Sequence, residues 1–164
     1  MYYFFKYLKH LLAATNQHGV HSPFVYDYLT KCLYTKPKFR DSKSESVLLK
    51  SIPYFEIEKF KISSSDSRIE NRIQKEFDLE VSIETPFDLI YLDYPEENIL
   101  NIYKDRIHND SMMLLENIHR NKDATKTWET LKQNLQVTVS IDMFHCGALF
   151  FRKEQEKEHF KIRI

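Results

Sequence analysis

The sequence predicts an α/β domain whose sheet is mostly parallel and ends in an antiparallel hairpin. Three observations carry this. Strand-like and helix-like patterns alternate from about residue 59 onward. Two near-continuous apolar runs, Phe87-Asp88-Leu89-Ile90-Tyr91-Leu92-Asp93 and the stretch SMMLLENI from Ser111 to Ile118, read as strands covered by helices on both faces. Finally, Val137, Val139, Ile141 and Met143 alternate with polar neighbours, and Ala148-Leu149-Phe150-Phe151 follows after only His145-Cys146-Gly147. Two strands so close in sequence must pair antiparallel.

The elements follow in order. Phe4, Leu8, Leu11 and Leu12 recur at helical spacing with Tyr3 and Tyr7 on another face, predicting an amphipathic helix over 2–14. Ser22 suits an N-cap with Pro23 at the first helical position, and the second helix runs to about Leu33 with Phe24, Val25, Tyr28, Leu29 and Cys32 on one face. Residues 35–44 are polar and aperiodic, and a short helix is expected at 45–50. The chain thus divides into a helical appendage (1–34), a linker with a short helix (35–58) and the α/β part (59–164), all within one compact unit.

A strand at 60–63 precedes a helix beginning near Ser67-Arg68-Ile69-Glu70, which has capping-box spacing and continues with Ile73 and Phe77. Leu79 to Ile83 reads as a weak strand, yet only Glu84-Thr85-Pro86 separates it from the next, too few residues for a parallel crossover. Glu84 therefore does not close a strand of a complete parallel unit. Pro95 opens a helix carrying Ile99, Ile102, Tyr103 and Ile107, and another helix spans about 122–135 with Trp128 and Leu131.

Composition limits the function. The 164 residues carry 24 basic and 24 acidic side chains, so no global field gathers nucleic acid or an anionic membrane. No apolar run reaches the length of a transmembrane helix, and Lys6 and Lys9 interrupt the N-terminal apolar stretch where a signal peptide would place its charge first. Cys32 and Cys146 read as reduced, buried thiols, and a cytoplasmic address is expected. Only two glycines occur, Gly19 and Gly147, where a usage of roughly 7% would give about eleven. A glycine-rich phosphate cradle is unavailable.

The segment His18-Gly19-Val20-His21-Ser22-Pro23-Phe24-Val25-Tyr26-Asp27 is followed far downstream by His108-Asn109-Asp110-Ser111, Ile118-His119, Ile141-Asp142-Met143-Phe144 and Phe150-Phe151-Arg152-Lys153-Glu154-Gln155. With the tail Glu158-His159-Phe160-Lys161-Ile162-Arg163, these residues resemble a family of bacterial class I S-adenosylmethionine-dependent methyltransferase-like proteins over about residues 5–35 and 87–164. The resemblance implies a Rossmann-like methyltransferase sheet. It also implies S-adenosylmethionine as cofactor and transferase chemistry.

The middle of the chain departs from that pattern. Where the family's first strand ends in a glycine-rich turn, this chain has Ser63, Ser64, Ser65 and Asp66, whose side chains fill space and resist positive φ. The short 60–87 interval also lacks a strand-helix module. The resulting expectation is a shortened, degenerate member without bound cofactor, serving a structural or partner-binding role. The alternatives are an active methyltransferase using Ser63 to Asp66 as a remodelled cofactor loop, and an α/β module for another small ligand.

Ligands of open α/β sheets bind beyond the carboxyl ends of the strands, which singles out Asp93, Glu116, Asn117 and His119. Asp93, Glu116 and His119 are the candidate catalytic residues. The resemblance to metal-dependent members of the wider superfamily offers Asp93, Glu116 and Asn117 as oxygen ligands of a divalent cation. Glu116 and Asn117 equally suit capping of the next helix. His18 and His21 have chelating spacing but no cysteine pair, so they are expected to order a helix start. His145 and Cys146 lack a third orienting group and are expected to be structural. Tyr2, Tyr3, Phe4, Phe5 and Tyr7 give the first helix an aromatic flank for its own domain, a second copy, a protein partner or a membrane surface.

Overall fold

Along β2 (Phe87–Leu92), successive side chains enter two different apolar clusters, Leu89 and Tyr91 on one face of the sheet and Ile90 and Leu92 on the other. This period-two alternation within a strand that is apolar but for Asp88 requires cover on both faces. In the computed structural model, which describes residues 1–36, 42–64 and 67–164, helices supply it. The first face is covered by α2 (Pro23–Tyr28), the π-helical turn Leu29–Leu33 that extends it, α3 (Lys43–Tyr54) and α4 (Ser67–Phe77). The second face is covered by α5 (Ile99–Tyr103) and α6 (Lys122–Gln133).

The sheet contains β1 (Phe60–Ser63), β2, β3 (Ile107–Glu116), β4 (Val139–Asp142), β5 (Cys146–Phe150) and β6 (Glu158–Lys161), in the spatial order β1-β2-β3-β5-β4-β6. β1, β2 and β3 run parallel; β5 is antiparallel to both of its neighbours, β3 and β4; β6 joins β4 in parallel. The α/β class and the β4–β5 hairpin agree with the sequence. β6 was not foreseen, because its four residues, EHFK, are only half-buried and carry no apolar run.

Three other local differences have physical causes. The expected strand at 79–83 is reduced to one bridge, Val81 beside Phe60, and the chain then passes to β2 past Lys59, where Glu84 lies 3.8 Å from the Lys59 ammonium. No crossover helix is needed, and Glu84 stands at the amino end of β1, away from the strand ends where ligands of such sheets bind. The helix expected at 45–50 is twelve residues long, since Ser42 caps it and Pro53 falls only in its last turn. The helix expected from Pro95 to Ile107 shortens to α5, and β3 already begins at Ile107.

Helix α1 (Tyr2–Ala13) has the most instructive orientation. Its expected apolar face points outward, with Phe4 60%, Leu8 40% and Leu12 89% exposed. The face carrying Tyr3, Tyr7 and His10 packs instead on Phe144, at ring separations of 5.0, 4.8 and 5.5 Å. Beyond α1, Thr15 bridges Ile162 in parallel, continuing the sheet edge past β6.

Two details invite measurement. Gly147 faces the Trp128 ring so closely that an added Cβ would lie 2.7 Å from Cζ3, inside van der Waals contact. Gly147→Ala is expected to destabilise the protein by about 1–3 kcal/mol through overpacking, read from the urea midpoint. Asp88 accepts hydrogen bonds from the Glu58 and Lys59 backbone N–H groups and from His108 Nε2 at 3.0, 2.7 and 2.8 Å, tying β1 to β2 and β3. Burial pushes its carboxyl pKa up, but these donors together outweigh burial and hold it below the ordinary value. A depressed folded-state pKa contributes stability above the unfolded pKa of about 3.9 and loses it on acidification. Asp88→Asn should therefore cost about 1 kcal/mol at pH 7, and the difference in Tm from the parent should shrink as the pH falls below about 4 and vanish only below the folded-state pKa.

Candidate functional site

The carboxyl end of β3 begins the site. Glu116 is its last residue and half-buried. Asn117 then adopts a left-handed backbone (φ 58°), a conformation asparagine tolerates better than most residues. Its N–H donates to the His145 carbonyl at 2.9 Å and its side-chain amide donates to the Asp93 carbonyl at 3.0 Å. One residue thereby stitches the ends of β2 and β3 to the β4–β5 turn.

Phe144, in that turn, also has positive φ (69°), which for a bulky residue costs on the order of 1–3 kcal/mol. What holds it is Asp142, whose Oδ1 accepts the Phe144 N–H at 2.9 Å, together with the rings of Tyr3, Tyr7, His10, His119 and His145 around it. Above Phe144 and Glu116 opens a cleft of about 380 Å³. Its walls are Tyr3 of α1, Ser42, Lys43 and Ser44 at the start of α3, Asn117, His119 and Arg120 after β3, and His145.

Beneath the cleft lies a buried polar network. His119 Nε2 lies 2.8 Å from Asp142 Oδ2, and His119 Nδ1 lies 3.1 Å from Thr125 Oγ1, which also accepts the Tyr2 hydroxyl at 3.0 Å. On its other side Asp142 Oδ1 faces His10 Nδ1 at 3.4 Å, while His10 Nε2 lies 3.3 Å from the Ile162 carbonyl. Burial raises the Asp142 carboxyl, but the hydrogen bond and charge of His119 and the Phe144 N–H together keep it below its ordinary pKa. Burial lowers the His10 pKa, against the pull of Asp142. His145 is likewise lowered, by burial first and by Lys43 next.

The residues singled out by the sequence are partly assembled here. Glu116, Asn117 and His119 share the cleft; Asp93 is joined to Asn117 through its backbone carbonyl and is not a lining residue. The Asn117 amide is engaged with that carbonyl. Neither Glu116 nor Asn117 caps α6, since Asn121 does so by accepting the Ala124 N–H at 2.8 Å. Of the serine loop, Ser63 ends β1 and Ser64 is half-buried, while Ser65 and Asp66 lie outside the described residues. His18 and His21 are exposed on the stretch leading into α2. Burial pushes the Cys32 thiol up to about 12 and raises Cys146 further, so neither is poised as a nucleophile.

Sequence reasoning missed His10, Asp142 and Phe144. The available signals were a carboxylate closing an apolar strand and a histidine sharing a helical face with Tyr3 and Tyr7. What fold and site define together is a three-layer α/β domain with a polar cleft at the carboxyl ends of its strands. No protein-family model, curated protein or solved structure matches the chain. Among the described residues, no helix is long and apolar enough to cross a membrane.

Proposed function

We propose that this chain is a methyltransferase-like domain that has lost its methyl-donor module and serves as a structural or partner-binding unit. The observation that carries the reading is the strand order. Three parallel strands are followed by the antiparallel hairpin β4–β5, as the resemblance in the sequence implies, and β5 lies between β3 and β4. Outside β1, where such a sheet would continue, the Val81 bridge is the only strand pairing among the described residues.

The region beyond β1 also favours loss of the cofactor. The first turn of α3 brings Ser44 beside the Cys146 thiol and pairs Glu45 with Arg68 at 2.9 Å and Arg72 at 3.8 Å, holding α3 against α4, the helix that follows β1. A partner-binding role is supported by the outward face of α1, where Met1, Phe4, Phe5, Leu8 and Leu12 form one apolar stripe. Calorimetric titration with S-adenosylmethionine and with its demethylated product, with and without magnesium, is expected to give no binding up to about 1 mM, a free energy of about −4 kcal/mol. Micromolar binding of either ligand would overturn the reading and favour an active enzyme.

A second reading, an α/β module for another small ligand, is favoured by the cleft itself. Lys43 and Arg120, together with the N-terminus of α3, place positive charge in that cleft beside Glu116, the chemistry of an anion site. Under this reading inorganic phosphate should raise Tm, and the rise should disappear in Lys43→Ala/Arg120→Ala. An unchanged Tm with phosphate would count against it.

A further inference from the structure

We propose that His10, His119 and Asp142 bind a single divalent transition-metal ion, with zinc the best chemical fit, and that this ion fastens α1 to the carboxyl end of the sheet. The three residues come from separate elements, α1, the β3–α6 connection and β4, and each is at most 6% exposed. One ligand atom from each lies within 4.8 Å of the others, the only such group of imidazole, thiolate and carboxylate donors among the described residues.

Hydrogen-bond bookkeeping points to a cation. A carbonyl oxygen can only accept, so His10 Nε2, 3.3 Å from the Ile162 carbonyl, carries the imidazole proton. In the neutral ring Nδ1 is then a bare lone pair, and it faces Asp142 Oδ1, another lone pair, at 3.4 Å. The Nδ1 atom is buried and makes no hydrogen bond. Two acceptors set face to face in a buried site repel unless a positive centre sits between them. Their separation suits a metal, since ligand bonds of about 2.0–2.1 Å at a tetrahedral centre put neighbouring ligand atoms about 3.3–3.4 Å apart.

The surroundings have the character of an outer ligand shell. Metal-bound histidines usually donate their second ring N–H to a carbonyl, hydroxyl or carboxylate. Here the Ile162 carbonyl receives that of His10, and Thr125 Oγ1 stands 3.1 Å from Nδ1 of His119. Without metal, His119 bonds Asp142 through Nε2 at 2.8 Å. With metal, the imidazole carries its one proton on Nδ1 and donates it to Thr125, leaving Nε2 as ligand. Asp142 is steadied by the Phe144 N–H. Two imidazoles and one carboxylate suit zinc, and His119 borders the cleft from which a fourth ligand would come.

The test uses the full chain, stripped with chelator and titrated with cobalt(II) and then zinc(II). Expected are one equivalent of cobalt with the intense visible band of a four-coordinate ion, its displacement by zinc, and a higher Tm with zinc. His10→Gln and His119→Gln should each abolish the band, whereas His21→Gln, on an exposed residue outside the cluster, should leave it intact. Should His119→Gln fail to fold, His10→Gln decides alone, because His10 lies on a peripheral helix. No cobalt band and no zinc-dependent Tm shift at about 100-fold excess over a micromolar Kd, where linkage predicts about 2.7 kcal/mol, would overturn the proposal. So would metal binding that survives His10→Gln. These outcomes are independent of whether the methyl donor binds.

Discussion

A buried carboxylate with no compensation would cost several kcal/mol, and Asp142 is 1% exposed at the end of β4. Much of the molecule's carboxyl-end architecture answers that demand. His119 turns inward from the β3–α6 connection to meet one oxygen, and the Phe144 N–H meets the other. That second bond sustains the left-handed turn, which projects the Phe144 ring outward as the platform for α1. Aromatic contacts from Tyr3, Tyr7 and His10 then close over it. The cleft exists because these groups are held apart around a charge that cannot move.

The sheet solves a different problem, that of filling both of its faces. Tyr91 and Phe150 face α2 and α3, while Trp128 fills the opposite face and presses against the bare backbone at Gly147. A chain almost devoid of glycine spends one of its two on this contact. The other, Gly19, meets Thr15 at a similarly close approach, just where the chain leaves the sheet edge. Both serve packing rather than ligand binding.

How much of this was legible in the sequence differs by element. β2 and β3 announce themselves because strands buried on both faces carry near-continuous apolar runs, here Leu89 to Leu92 and Met112 to Leu115. β6 was invisible, since an edge strand with pattern EHFK buries too little to leave a signal. In α1 the pattern misled: hydrophobic spacing selected Phe4, Leu8 and Leu12, but polar demand at Asp142 and aromatic demand at Phe144 turned the Tyr3, Tyr7 and His10 face inward. The site was half legible. Strand-end logic found Glu116, Asn117 and His119, which need only the topology. His10 and Asp142 could not be joined without three-dimensional knowledge, because 132 positions (142 − 10) separate them in the chain.

That separation is shared by much of what holds α1 in place. Tyr3 reaches His145 and His10 reaches Ile162, spans of 142 and 152 residues. Closing loops so long is entropically expensive and gains nothing until the sheet is already assembled. On this topology α1 is expected to dock only after the sheet has assembled, as a latch closed over the buried His-Asp cluster.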